Sequence, residues 1–178
     1  MVTPEGVQSP KMSEWPLFDL ATLGGPPAVA RWINLVTAHR RAVAPVVNPY
    51  RIGLSTAALT LLEVAAAIEY WVRVNRPAKW ASTKFADAVA ARVGAPFADW
   101  VGDPEKWSAS FWRTNNLLKH EPDVQPEPEL ISALARSGRH LLAAALLDRV
   151  AGSKAPSKRV FKSHQLNDLG SQLRERFG

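Results

Sequence analysis

Apolar residues recur every three to four positions along most of this chain, in runs separated by proline- and glycine-containing stretches. Over residues 28–41, Val29, Trp32, Ile33 and Val36 fall on one side of a predicted helix. Pro45 and Pro49 then predict a linker, because proline inside a helix removes a hydrogen bond and crowds the preceding turn. The strongest helical signal follows. Ser55 or Thr56 suits the N-cap, and Ala58, Leu61, Leu62, Ala65, Ile68, Glu69 and Val72 keep helical spacing up to Pro77. A third helix is predicted over 83–93, capped by Ser82 and stopped by Gly94. A short piece over 96–101 leads to a fourth, opened by Asp103-Pro104-Glu105, with Trp107, Phe111, Leu117 and Leu118 as its core side. Past a proline-rich connection over 122–128, a long helix over 129–150 turns Leu130, Leu134, Leu141, Ala145 and Leu146 inward. Gly152 to Pro156 ends it, and one or two short basic helices finish the chain. The alternation that marks strands is missing, so the pattern predicts an all-α fold, a single helical bundle.

Residues 1–27 lack periodicity, are rich in Pro and Gly, and end in Gly24-Gly25-Pro26-Pro27, which predicts a flexible lead-in. An N-terminal helix and linker over 28–50 and a helical domain over 51–178 complete the expected organisation, within the length of one domain. Hydrophobic residues make up 47%, enough for a packed core. Cysteine is absent, which excludes disulfides, thiol nucleophiles and Cys-ligated metals. No apolar run approaches the roughly 18 residues of a membrane span. The opening segment, with Pro4 and Glu5 and no apolar stretch, is no signal peptide. A cytoplasmic protein without a membrane partner is the expectation.

Charge changes this picture at one end. Residues 134–178 hold nine basic and three acidic side chains, leaving thirteen of each elsewhere, so the net charge of +6 lies wholly in the last quarter. Such a surplus predicts a polyanionic partner such as RNA, with Lys158, Arg159 and Lys162 as contacts; a solvated surface is the alternative.

The candidate chemistry sits in the segment from Phe111 to His120. Arg113 and His120 are seven residues apart, two helical turns, so both emerge on one face. Asn115 and Asn116 lie between them, Lys119 adjoins His120, and Pro122 and Pro126 keep the helix from running on. An Arg that cannot lose its proton beside a His that can is a workable pair for cleaving a phosphodiester. The same spacing also describes an ordinary surface Arg and a helix-terminal His favoured by the helix dipole. The four histidines (His39, His120, His140 and His164) fall on different predicted helices without metal-ligand spacing. No phosphate-binding glycine loop or nucleophile elbow is present. The expectation is therefore no cofactor and no metal. Glu69, among Ala66, Ala67, Ile68, Tyr70 and Trp71, predicts a structural ion pair before a general base. The tryptophans predict packing, with Trp112 beside Arg113 as the candidate for an exposed ring.

A helix carrying Leu61-Leu62-Glu63 and Ala67-Ile68-Glu69, a second carrying Arg113 and His120, then a leucine-rich helix with Leu141-Leu142 and Leu146-Leu147 and a basic end, resembles the HEPN domain. Within that family it is most similar to the HEPN domain of ApeA-type antiphage proteins, over roughly residues 50–178. The resemblance implies an all-helical domain that dimerises with its Arg/His motifs face to face. It also implies metal-independent endoribonuclease activity in defence or toxin systems, with a partner defence or antitoxin protein. Arg113 would then hold the phosphate, His120 would act as general acid or base, and Asn116 would orient one of them or the RNA. Many members carry Asn or another polar residue directly after the Arg and the His four or five residues further on; here Thr114 follows Arg113 and six residues intervene before His120, the upper limit. Aligned instead on Thr114-Asn115-Asn116, the family's arginine position falls on Asn115, which implies a catalytically inactive nucleic-acid-binding or protein-interaction module.

Overall fold

The computed structural model describes residues 19–52, 56–75, 83–121, 123–124 and 126–178. Its helices are α1 (Pro27–Ala38), α2 (Arg40–Ile52), α3 (Ala57–Asn75), α4 (Thr83–Val93), α5 (Ala95–Val101), α6 (Pro104–His120), α7 (Pro128–Ala151), α8 (Ala155–Phe161) and α9 (Asn167–Phe177). A single 3-10 turn over His164–Leu166 precedes α9. Every regular element among the described residues is helical, as the apolar periodicity predicts.

The centre of the bundle is the pairing of α3 with α7. Their buried faces mix Leu61, Val64, Ile68 and Trp71 with Leu134, Leu141, Leu142 and Leu146, interleaved with Ala65, Ala67, Ala144 and Ala145. The small residues leave room for large ones from neighbouring helices. By length and composition α7 could cross a membrane, yet 56% of its apolar window is buried inside the fold, as in a core helix. Around the pair, α2 covers one side, α4 and α6 another, and α8 lies along the end of α7. Gly152, at φ 69°, ends α7 in the left-handed conformation that glycine adopts without strain.

Caps and boundaries follow the predicted signals closely. The Thr56 hydroxyl accepts from Leu59 N at 3.3 Å, and Asp103 accepts from Glu105 N and Lys106 N. Ser55 and Ser82 lie outside the described residues. Residues 19–26, at the end of the predicted lead-in, form hydrogen-bonded turns held by the Asp19 carboxylate and Thr22.

Two local expectations are corrected. Pro45 and Pro49 sit inside α2 instead of forming a linker. They are four residues apart and so lie on one side of the helix, and Pro45 is buried where α2 packs on α3 and α7. Burial there outweighs the lost backbone bonds, a case of tertiary packing overriding propensity. In α1, Ala28 and Leu35 are the buried residues, while Val29 is 48% and Ile33 57% exposed. Of the predicted inward stripe, Trp32 and Val36 are half buried against the core and Val29 and Ile33 lie on the open side of that helix.

Packing is tightest at Gly138. A Cβ there would stand 2.6 Å from Phe111 Cε2 and 3.1 Å from Val64 Cγ1, both on fully buried side chains. Alanine gains up to about 1 kcal/mol of helix propensity, but overpacking costs about 1–3 kcal/mol. Gly138→Ala should lower stability by up to about 2 kcal/mol, read as a reduced urea midpoint with an unchanged slope.

Candidate functional site

The orientation of α6 is fixed by its buried side. Asp103 caps its start, Pro104 occupies the first turn, and Asp103 N donates to Phe177 O at 2.9 Å, tying the helix to the chain's last turn. Trp107 Nε1 donates to Ser137 Oγ at 2.9 Å, and Ser137 Oγ donates to Leu134 O. Phe111 fills the gap at Gly138, and Trp112 stands edge-on to Phe85 and Phe111 at 6.1 and 5.5 Å between ring centroids. Trp112 is 1% exposed, so the reading of it as an exposed ring is corrected. Helix α4 brings Phe85 over it, which sequence periodicity within α6 alone does not reveal. Leu117 and Leu118, expected in the core, are only half buried, because Thr114 and Asn115 take that side of the last turns.

With that side held, Arg113, Asn116 and His120 emerge together on the opposite, exposed side, and Lys119 is exposed beside them. Asn116 Oδ1 accepts from Asn115 Nδ2 at 3.3 Å. Among the described residues neither the Arg113 guanidinium nor the His120 imidazole has a side-chain hydrogen bond or ion pair. Along the helix axis the two are separated by about 10 Å, from the 1.5 Å rise per residue. One chain thus presents a guanidinium, an amide and an imidazole on a single exposed helix face.

Asn115 separates the two possible registers of the motif. It is 1% exposed, and its Oδ1 is buried without a hydrogen-bond partner. A residue at this position points into the bundle, away from the face that carries His120. Trp112 Nε1 and Asp87 Oδ1 are buried and unpartnered in the same way on α6 and α4. Burying such groups costs about 1–3 kcal/mol each. The signal for Asn115 was present in the sequence: it lies four residues after Phe111 and so shares its face.

The basic end is placed apart from this face. Lys158 and Arg159 lie on α8 and Lys162 follows it; all three are exposed. Helix α8 packs chiefly on α7 and α5, whereas α6 packs chiefly on α4 and α3. Much of the C-terminal charge serves as internal staples. Arg176 grips Glu127 with two 2.8 Å bonds, and these hold the Glu127 carboxyl below the usual range. Arg174 donates to Trp100 O, Lys154 pairs with the buried Asp148 at 3.2 Å, and Arg149 donates to Asn75 Oδ1. Arg159 donates to Thr22 Oγ1 at 2.9 Å, which leaves Lys158 and Lys162 as the uncommitted cations of the predicted trio among the described residues.

Other candidates resolve into structure. Glu69 forms an ion pair with Arg73 at 2.9 Å, one turn on, and Arg73 stacks over Phe85 at 5.0 Å. His39 ends α1 against Tyr70 and Trp71, and His164 is exposed in the 3-10 turn. Among the described residues no three His, Asp or Glu side chains gather as a metal would require. His140 lines an apolar groove between α1, α2, α7 and α8, a feature that no sequence motif announced. Burial, together with Arg139 and Arg136, pushes its pKa down from the usual 6.5 to about 4.

No family model, curated protein or solved structure matches the chain.

Two measurements follow from these placements. If Asn115 stood at a lost arginine position, Asn115→Arg would improve the site; its burial instead predicts a loss of about 3 kcal/mol or more, because the guanidinium has no partner there. Chemical denaturation of the variant reads the difference. For His140, the unfolded chain binds the proton between pH 6.5 and about 4 while the folded chain does not. Its contribution is therefore intact above pH 6.5 and is lost as pH falls towards 4. His140→Leu should flatten the decline of stability in that window and leave it unchanged above pH 7.

Proposed function

We propose that the chain is a metal-independent endoribonuclease of the HEPN type, acting in the cytoplasm as a homodimer in a toxin or antiphage-defence role. The observation that carries this reading is the shared exposed face of Arg113, Asn116 and His120, with neither the guanidinium nor the imidazole tied to a carboxylate among the described residues. A guanidinium left unpaired is available to grip two phosphate oxygens at once. The imidazole at His120, on the last turn of the helix, is free to exchange a proton with solvent or substrate.

The chemistry needs only the RNA and these side chains. A base removes the proton from a ribose 2′-hydroxyl, and its oxygen attacks the adjacent phosphorus. The bond to the 5′-oxygen breaks, and an acid supplies the proton to that leaving oxygen. The products are a 2′,3′-cyclic phosphate and a 5′-hydroxyl. Arg113 stabilises the added charge on the phosphate, Asn116 orients the scissile group or His120, Lys119 contacts the RNA backbone beside the site, and Lys158 and Lys162 contact it away from the α6 face. Two-fold pairing of the α6 faces supplies a second Arg and a second His, so that base and acid are separate imidazoles.

A second reading rests on the openness of the same face: an exposed helix surface suits a module that binds RNA, or a partner defence or antitoxin protein, without cutting. Purified protein in EDTA separates the two. The ribonuclease reading expects cleavage that falls about 10²–10⁴-fold in His120→Ala, falls strongly in Arg113→Lys, and is unchanged in the exposed control His164→Ala. Binding without cleavage supports the module, and cleavage that requires a divalent metal contradicts both the mechanism and its residues. Light scattering of the wild-type chain should give twice its mass of 19.5 kDa; a monomer at micromolar concentration contradicts the composite site.

A further inference from the structure

We propose that the trough between α1, α2, α7 and α8 is a docking groove for an acidic, amphipathic helix of a partner protein. The groove has a volume of about 470 Å³, is open along one side, and is walled by side chains such as Leu23, Trp32, Val46, Ala143 and Leu147. Its lip carries large apolar side chains that nothing in the described chain covers: Leu20 is 44% exposed and Val29 48%, with Ile33 (57%) one turn beyond on α1. The walls run along α7 from His140 to Val150, about 15 Å at 1.5 Å per residue, the length of about three helical turns. A trough of that length between helices takes a helix through residues at i, i+3, i+4 and i+7.

The sign of the partner follows from the rim. Between Asp19 and Glu63 the sequence contains four arginines and no carboxylate, and Arg31, Arg40 and Arg41 are exposed on α1 and α2. Arg31 bonds to Val150 O and Leu23 O at one end of the groove. Arg159 reaches Thr22 at the adjoining turn, and on α7 Arg136 stands one turn before His140 and Arg139 directly before it. The nearby carboxylates are already held, Asp19 by Thr22 and Asp148 by Lys154 and Ser157 N. The His140 imidazole has no hydrogen-bond partner among the described residues, so the groove offers a polar anchor within an apolar lining. Charge complementarity of this kind steers encounter and excludes basic partners. A walled trough suits a helix better than the flat surface of a membrane. None of these residues lies on α6, so the inference stands apart from the ribonuclease reading.

The test uses the full chain and a fluorescein-labelled 16-residue peptide, with Leu at i, i+3, i+4 and i+7 positions and Glu on the remaining face. Saturable anisotropy is expected, with affinity at least about tenfold weaker (about 1.4 kcal/mol) for a Lys-for-Glu peptide and for a scrambled one. Val29→Glu and Ile33→Glu change exposed positions and should keep the circular dichroism spectrum while weakening binding by a similar factor. Absence of saturable binding, or equal binding of the scrambled peptide, overturns the proposal. So does capture by phosphatidylglycerol vesicles when the peptide does not bind, which would make the face a lipid surface. Binding that appears only after Trp15→Ser and Phe18→Ser also overturns it, because the groove would then be occupied by the chain's own preceding segment.

Discussion

Bare backbone at Gly138 lets three helices meet where a single methyl group would collide with Phe111 and Val64. Most of what positions the candidate site depends on that approach. Phe111 enters α6's contact with α7 at this point, and the neighbouring residue Ser137 accepts the only hydrogen bond that Trp107 Nε1 can donate. Two successive contacts, one steric and one directional, fix the rotation of α6 about its own axis. Rotation then decides which residues face water, since positions three, four and seven apart share a side. Arg113, Asn116 and His120 are on the outer face because Trp107, Phe111 and Trp112 are on the inner one.

The fold was legible because its signals are local. Asp103-Pro104, Thr56, Gly94 and Gly152 mark helix ends through capping chemistry and backbone freedom that the sequence states directly. What stayed hidden depends on neighbours distant in sequence. Pro45 and Pro49 read as breakers until α3 and α7 supply the surface that makes a proline-containing helix worth forming. Val29 and Ile33 read as core because periodicity identifies an apolar stripe without saying what covers it. Trp112 read as exposed because the ring that packs on it, Phe85, belongs to another helix.

The candidate site divides in the same way. The two-turn spacing of Arg113 and His120 and their common face followed from helix geometry, and the buried phase of Asn115 was available from its distance to Phe111. The use of the C-terminal charge was not. Counting charges identifies a basic end, but the pairing of Arg176 with Glu127 and of Lys154 with Asp148 depends on where α9 and α8 settle. Those staples reduce the free charge on offer and hold the last turns against α7 and α5, while Lys158 and Lys162 keep theirs exposed.

An open helix face can bind a polyanion through charge alone; cleavage by this route requires a proton donor and acceptor placed about one phosphate. The difference is recorded in the ends left on the RNA. The most direct measurement is the chemistry of those termini after incubation with the purified chain in EDTA. Attack by the 2′-hydroxyl leaves a 2′,3′-cyclic phosphate on one fragment and a 5′-hydroxyl on the other. A 3′-hydroxyl with a 5′-phosphate, or RNA left intact, would contradict it.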